Sequence, residues 1–222
     1  MPSTAPDDTI AARREVILST LKEAGGSDVE LIAVSKRQPD DRIEAALNCG
    51  HRVFGENRVQ EAQERWAHRR DITGLKLHLI GPLQSNKSED AIALFDVIQT
   101  VDRQKIVRTL SDAATKLQRS PQILIQVNTG EEPQKAGVSP SELGDLVNYT
   151  RDTYPGELVG LMCIPPIEEP AGPHFALLAK LAIKFDLPAV SMGMSADYEL
   201  AVRFGATHVR VGSSFFGDRD TV

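Results

Sequence analysis

Short apolar runs alternate with amphipathic segments along nearly the whole chain of 222 residues. Residues 31–34 are four apolar positions in a row, which predicts a strand buried on both faces of a parallel sheet. The segment 40–48 turns Ile43, Ala46 and Leu47 to one side, which predicts a helix. The same strand-then-helix unit recurs along the rest of the chain.

The pattern contains eight such units, with one further helix in front. The predicted strands are residues 31–34, 51–54, 75–80, 97–101, 122–127, 158–162, 189–191 and 208–211. The predicted helices are residues 7–24, 40–48, 57–68, 85–94, 103–118, 139–150, 170–184 and 195–204, with a short turn at 213–216. Strands that alternate with helices of this length pair in parallel, and eight units favour a (β/α)8 TIM barrel over an open doubly wound sheet. No stretch has linker composition, so residues 1–222 are predicted to form a single domain of the α/β class with an extra N-terminal helix.

The composition is that of a globular protein, with 41% hydrophobic and 25% charged residues. The net charge of −6 argues against general binding to nucleic-acid phosphates. No apolar run approaches the roughly 20 residues that cross a bilayer, and the N-terminus lacks a signal-peptide pattern. The two cysteines, Cys49 and Cys163, form no CxxC motif, and the five histidines lack metal-ligand spacing. We therefore expect a cytoplasmic monomer whose partner is a small molecule rather than a nucleic acid, a membrane or a metal ion.

A lysine, Lys36, directly follows the first predicted strand. In a barrel, the carboxyl ends of all strands meet at one mouth, where such folds carry their chemistry. The other strand ends are mostly polar or glycine, at residues 55–57, 81–87, 102, 128, 191–195 and 210–213. We interpret this mouth as the functional one, and we expect the opposite mouth to lack a comparable polar run.

The last two strand ends have the features of a phosphate site. Barrels often bind phosphate with the loops after strands seven and eight and with a short following helix. Ser191 begins the first of these loops, Gly193 allows close backbone approach, and Ser195 can cap a helix or donate its hydroxyl. Gly212 and Ser213 open the second loop with free N–H groups that suit an anion. Each serine alone fits a plain helix cap, but the two loops together predict a phosphate site.

Two further side chains at this mouth have alternative interpretations. Arg210 ends the eighth strand, and a buried arginine needs a partner. That partner is either a strand-end acid such as Glu56, or a ring nitrogen or anion of a ligand. Asn57 begins a helix and either caps it or covers a ligand face. A desolvated Lys36 beside a phosphate can form a Schiff base, which leaves a sugar-phosphate aldolase or a holder of pyridoxal 5′-phosphate (PLP).

Long motifs in a fixed order resemble the pyridoxal phosphate homeostasis protein family. The motifs are VSK at 34–36, FGENRVQE at 54–61, HLIGPLQSNK at 78–87, QVN at 126–128, KAG at 135–137, GLM at 160–162, SMGMSADY at 191–198 and VRVG at 209–212. Together they span nearly the whole chain. Arg58 is a departure, because the family more often has an aromatic residue there.

The resemblance implies a barrel like the N-terminal domain of alanine racemases, with PLP held on Lys36 as a Schiff base. It implies that Arg210 approaches the pyridine nitrogen of the cofactor and that Asn57 lies near the ring. The cofactor site that we predict comprises Lys36, Asn57, Ser191, Gly193, Ser195, Arg210, Gly212 and Ser213.

The resemblance also implies a function in vitamin B6 homeostasis, namely buffering PLP or delivering it to apo forms of PLP-dependent enzymes. Alanine racemases carry a second domain that supplies a catalytic tyrosine, and we expect no such domain in this chain. We therefore expect no robust catalysis. A low-activity amino-acid racemase with Lys36 as its sole base is the alternative, and an aldolase is a weaker one.

Overall fold

Eight parallel strands close into a barrel in the order in which they occur in the chain. The computed structural model describes residues 9–217. The strands are β1 (Glu30–Val34), β2 (Val53–Glu56), β3 (Lys76–Leu79), β4 (Val97–Val101), β5 (Gln122–Val127), β6 (Leu158–Cys163), β7 (Ala189–Ser191) and β8 (His208–Val211). The helices are α1 (Ile10–Glu23), α2 (Asp40–Asn48), α3 (Val59–Trp66), α4 (Ser88–Leu94), α5 (Gln104–Leu117), α6 (Leu143–Thr153), α7 (Ala171–Lys184), α8 (Tyr198–Arg203) and α9 (Ser213–Phe216). The predicted (β/α)8 barrel is confirmed, with α1 as the extra N-terminal helix.

The predicted bounds of β4, β5, β7 and β8 agree with the structure, whereas β2 begins and ends later than predicted. The N–H of His51 bonds to the carbonyl of Ala46, so this residue belongs to the end of α2. Gly55 and Glu56 pair with β3 and extend the strand. The predicted start of α1 at residue 7 lies outside the described residues.

The predicted helix at 139–150 is wrong at its start, because α6 begins only at Leu143. Val138 still bridges to β5 in extended conformation. The carbonyl of Ser139 then accepts the N–H of Glu142, and the hydroxyl of Ser139 donates to the Glu142 carboxylate at 2.7 Å. Pro140 therefore lies in a turn before the helix and not in its first turn.

Strand side chains alternate between two environments, inside the barrel and between barrel and helices. Ile123 and Ile125 belong to the large outer cluster, which also contains helix residues such as Leu110. Inside the barrel, a separate apolar cluster is formed by Val97, Leu124, Met162 and Ala189. The rest of the interior is mixed, because Ile32 is buried beside Gly55. The buried polar side chains are His78, Gln99, Ser191 and Arg210. Buried polar groups need hydrogen-bond partners, so these four side chains have to pair with one another or with the backbone.

Charged side chains fill the opposite, N-terminal mouth of the barrel, so the expectation that it lacks a polar run is wrong. Lys76 Nζ lies 3.0 Å from the Glu30 carboxylate, and His78 Nε2 lies 3.2 Å from it. His208 Nε2 lies 3.4 Å from the same carboxylate. Burial alone would raise the pKa of Glu30, but His78 and Lys76 outweigh it and lower this pKa to about 2.

No helix within residues 9–217 is long and apolar enough to cross a membrane.

A buried and a half-buried histidine should make the folded protein sensitive to mild acid. Burial lowers the pKa of His51 and that of His208 to about 4, whereas an unfolded histidine titrates near about 6.5. Below that pH the unfolded chain binds protons that the folded chain does not, so stability is lost as pH falls from about 6.5 to about 4. Between about pH 7.5 and about pH 5, urea denaturation should show a loss of roughly 2 kcal/mol per histidine.

Two single variants separate this effect from general acid sensitivity. In His208→Gln, the difference in unfolding free energy between the two pH values should shrink by roughly 2 kcal/mol. His68 is exposed, so His68→Gln should keep the full pH dependence and serves as the matched control. The explanation fails if His208→Gln and His68→Gln show the same pH dependence.

Candidate functional site

The segment that carries Lys36 is anchored by a buried carboxylate at the end of β2. Glu56 is fully buried, and its Oε1 accepts the Ser35 hydroxyl at 2.7 Å. The same oxygen accepts the Arg65 guanidinium at 2.9 Å and the Trp66 indole N–H at 3.0 Å. Because Ser35 directly precedes Lys36, this carboxylate fixes the point at which the lysine leaves β1.

Arg65 of α3 also holds the backbone on both sides of the lysine. Its guanidinium donates to the carbonyl of Ser35 at 3.0 Å and to the carbonyl of Gln38 at 2.8 Å. Between these two points the chain turns sharply, and Arg37 has a φ of 58°, in the left-handed region. The turn around Lys36 is thus fastened at both ends rather than left as an open loop.

A hydroxyl oxygen occupies an N–H cradle where the loops after β7 and β8 meet. Ser195 Oγ accepts the N–H of Gly212 at 3.2 Å and the N–H of Ser214 at 3.4 Å. The predicted helix start at Ser195 is wrong, since α8 begins at Tyr198 and Ser195 faces α9 instead. Ser213, the first residue of α9, lies between the two donors. Backbone N–H groups that hold one oxygen in this way can also hold a phosphate oxygen.

Gly193 is required at the turn between β7 and α8. Its φ is 90°, and an added Cβ would lie 2.6 Å from the Ala201 Cβ and 2.9 Å from the Tyr198 Cα. Its carbonyl accepts the N–H of Arg210 at 3.0 Å. A glycine here therefore lets the β7 loop lie directly against α8 while its carbonyl bonds to β8.

Arg210 is buried and pairs with neutral acceptors. It donates to Ser191 Oγ at 2.7 Å and to the Cys163 carbonyl at 2.8 Å. The alternative of an ion pair with Glu56 is wrong, because Glu56 pairs with Arg65. Burial lowers the pKa of Arg210 from its ordinary value.

Strand register brings the predicted residues to four neighbouring strand ends, those of β7, β8, β1 and β2. Ile32 pairs with Arg210 across β1 and β8. On the other side, the N–H of Ser35 bonds to the carbonyl of Gly55, which places the Lys36 segment beside the residues that precede Asn57. Lys36 itself is half-buried.

A cavity of about 790 Å³ adjoins these strand ends on the side of β2 to β4. Of the predicted site residues, Asn57 is the one that lines it. Its polar lining includes Asn57, Arg58, Gln84, Lys87, Asp102 and Arg103. A cavity of this size suits an organic ligand of moderate size.

The sequence interpretation missed the polar residues beneath the site. Gln99 lies within β4, between Ile98 and Thr100, and His78 lies within β3 between two leucines. Both are fully buried and contact each other. The sequence could have indicated these two residues, because a polar side chain inside a buried strand requires a buried partner. It could not have identified that partner.

The sequence and the fold of this chain both match known proteins. A family model for the N-terminal domain of alanine racemase matches residues 15–220. The pyridoxal phosphate homeostasis protein of Escherichia coli K12 is 36% identical over 223 residues, which cover 95% of each chain. The corresponding protein of Vibrio cholerae is 40% identical over 205 residues, which cover 87% of each. This chain belongs to the pyridoxal phosphate homeostasis protein family.

Solved structures show the same relationship. PipY of Synechococcus elongatus, solved without PLP, is 38% identical and superposes with a TM-score of 0.87, covering 94% of this chain and 100% of that one. PipY with PLP bound superposes with a TM-score of 0.81. Alanine racemase of Clostridium difficile is 15% identical, with a TM-score of 0.76 over 99% of this chain and 61% of that one, and shares the fold. The predicted family is thereby confirmed.

The anchoring of the Lys36 segment predicts a large effect of Arg65→Ala on stability. This change removes the cationic partner of a fully buried carboxylate, which typically costs about 3 kcal/mol. Urea denaturation measures the loss, and hydrogen exchange at residues 35–38 should become faster. The matched control is Arg58→Ala, because Arg58 is 78% exposed and its pair with Glu61 should contribute less than about 1 kcal/mol. Equal losses in the two variants would contradict the anchoring role.

Proposed function

We propose that this chain binds PLP through a Schiff base on Lys36, and that it buffers the cofactor or delivers it without robust catalysis. In this reaction the lysine amine attacks the aldehyde carbon of PLP, a carbon–nitrogen double bond forms, and one water leaves. The observation that carries the proposal is the position of the Lys36 segment. This segment is held at the end of β1, beside β8, and the N–H cradle follows directly after β8. The names of the relatives and the PLP-bound structure of PipY support it.

The residues at the mouth fit the three reactive parts of PLP. Lys36 supplies the amine for the aldehyde. The phosphate would replace the Ser195 hydroxyl as acceptor of the N–H groups that start α9, or share them with it. Gly193, Gly212 and Ser213 would complete this cradle, and Asn57 would lie beside the ring. When bound, PLP supplies a reactive aldehyde and an electron-withdrawing ring.

Arg210 favours holding the cofactor over transforming an amino acid with it. A guanidinium donates hydrogen bonds and does not give up its proton in proteins, so a ring nitrogen that faces it remains unprotonated. An unprotonated ring withdraws fewer electrons, and carbanion chemistry is then less assisted. The Ser191 hydroxyl and the Cys163 carbonyl hold the guanidinium in place.

The tyrosines offer no opposing base of the kind that the racemase interpretation needs. The Tyr154 hydroxyl donates to the Pro121 carbonyl at 2.6 Å, and Pro121 precedes β5 at the opposite mouth. Burial raises the pKa of Tyr154, so its phenol stays neutral. Tyr149 lies within α6, and Tyr198 begins α8 with its side chain against the outer cluster.

The proposal extends to the surroundings of the protein. We place its activity in the cytoplasm, where it acts as a monomer and where apo forms of PLP-dependent enzymes are the recipients. A low-activity amino-acid racemase is the second candidate function, favoured by the fold shared with alanine racemases.

Lys36→Ala should abolish the visible absorbance of bound PLP and leave the fold intact. The side chain is half-buried at a strand end, so it contributes little to the core. After borohydride reduction of the wild-type protein with PLP, mass spectrometry should find the adduct on Lys36. Lys87→Ala and Lys135→Ala are the controls and should retain both absorbance and adduct. An adduct that persists in Lys36→Ala would move the tether to another lysine.

Deuterium exchange separates the carrier from the racemase. The PLP-loaded protein is incubated with L-alanine, L-serine or L-glutamate in deuterated water, and Cα deuterium is followed by proton NMR. We expect no incorporation above that of Lys36→Ala, because Tyr149, Tyr154 and Tyr198 are not placed as an opposing base. Incorporation on the timescale of enzymatic turnover would establish the racemase and reject the carrier.

A further inference from the structure

A continuous series of polar contacts crosses the barrel interior from the site to the opposite mouth. Arg210 donates to Ser191 Oγ at 2.7 Å, and the Ser191 hydroxyl donates to Gln99 Oε1 at 2.6 Å. Gln99 Nε2 lies 2.8 Å from His78 Nδ1, and His78 Nε2 lies 3.2 Å from Glu30 Oε1. We call these five residues the polar chain. They come from β8, β7, β4, β3 and β1.

The contacts of the polar chain favour one order of donors and acceptors. Ser191 Oγ accepts from the Arg210 guanidinium, which leaves its own hydrogen for Gln99 Oε1. The amide nitrogen of Gln99 then faces His78 Nδ1, which must be the unprotonated ring nitrogen. The remaining proton of the imidazole lies on Nε2 and faces the Glu30 carboxylate. In the three hydrogen bonds from Arg210 to His78 the donor thus always lies on the Arg210 side, and aligned hydrogen bonds of this kind polarise one another. His78 Nε2 lies within ion-pair distance of the Glu30 carboxylate but without hydrogen-bond geometry.

Reversal of the Gln99 amide would break this order. Its nitrogen would then donate to Ser191 Oγ, whose own hydrogen would lose Gln99 Oε1 as its acceptor, and the amide oxygen would need a proton on His78 Nδ1. A neutral His78 would consequently present a lone pair to the Glu30 carboxylate. His78 is fully buried, and burial lowers its pKa, so a second proton that would relieve the conflict is disfavoured.

The guanidinium depends on this order because its direct acceptors are neutral. Its hydrogen bonds go to the Ser191 hydroxyl and the Cys163 carbonyl. The titratable groups that interact with it are the Cys163 thiol on β6 and Asp197 after β7. Burial raises the pKa of Cys163 to about 12, so the thiol stays neutral, and the Asp197 carboxylate accepts the N–H of Met194 at 2.6 Å.

We propose that Gln99 is a positioning residue, which fixes the Ser191 hydroxyl as an acceptor for Arg210 and thereby sets how the guanidinium faces the bound cofactor. Ser191 acts in the same way, through Arg210 rather than on the phosphate. This inference rests on the proposed function, because that function supplies its ligand, PLP. The polar chain itself is present in the protein without the cofactor. It assigns a role in the PLP site to a residue in the middle of β4.

The first test uses the protein without PLP and examines the polar chain alone. In ¹⁵N NMR spectra, His78 of the wild-type protein should be the neutral tautomer with its proton on Nε2 and a hydrogen-bonded Nδ1. Gln99→Leu removes the donor, so the Nδ1 resonance should move toward that of a ring nitrogen without a hydrogen bond. Gln99→Met, which keeps the side-chain length, replaces it if Gln99→Leu does not fold. An unchanged Nδ1 resonance would overturn the proposed order of donors.

The second test measures the visible absorption spectrum of bound PLP as a function of pH. Gln99→Leu and Ser191→Ala should shift the absorption maximum or its pH midpoint in the same direction, the midpoint by about half a pH unit or more. The matched control is Gln126→Leu, since Gln126 is also buried in the barrel wall but bonds to the Ala136 carbonyl. Its spectrum should coincide with that of the wild-type protein. Coincidence of the Gln99→Leu and wild-type spectra, or an equal shift in Gln126→Leu, would overturn the proposal.

The double variant distinguishes positioning through Ser191 from a general disturbance of the barrel. If Gln99 acts through Ser191, then Gln99→Leu with Ser191→Ala should show the shift of Ser191→Ala alone. Additive shifts would reject the shared route. If wild-type protein shows no imine absorbance with PLP, the proposed function fails, whereas the NMR test still decides whether the polar chain has the order inferred here.

Discussion

The pairing of β8 with β1 is the constraint on which the candidate site depends. It joins the end of the described chain to its beginning, with Ile32 opposite Arg210 and Ala33 opposite Val211. Without it, Lys36 and the N–H groups of α9 would lie at opposite edges of an open sheet. With it, an amine and an anion cradle share one mouth, which is what a phosphorylated aldehyde requires.

The same mouth combines rigidity with a reactive side chain. The turn that carries Lys36 includes a left-handed residue, Arg37, and turns of this kind persist only when their surroundings hold them. Glu56 and Arg65 provide that support through a buried ion pair and two backbone carbonyls. Removing one partner of a buried ion pair is costly, but the pair as a whole contributes little net stability compared with apolar residues in its place. Its role here is therefore to fix the position of the lysine.

The barrel interior contains an apolar cluster and a series of buried polar side chains, and the polar series has a functional consequence. Val97, Leu124, Met162 and Ala189 form the apolar cluster. Arg210, in contrast, is held by the Ser191 hydroxyl and the Cys163 carbonyl rather than by a directly bonded carboxylate. A guanidinium held in this way keeps its charge and its orientation. Both properties support the proposed function, in which the protein stores the cofactor and does not activate it for carbanion chemistry.

Periodicity and the number of strands were enough to predict the barrel, most of its elements and the strand ends that carry Lys36 and Arg210, because both are read from short stretches of the chain. Tertiary structure alone decided the start of α6, where Val138 bridges to β5, and the role of Ser195, whose oxygen faces α9 instead of capping α8. It also decided the partners of Arg210. Ser191 and Gln99 are 92 positions apart, and barrel closure joins strands that no local pattern relates.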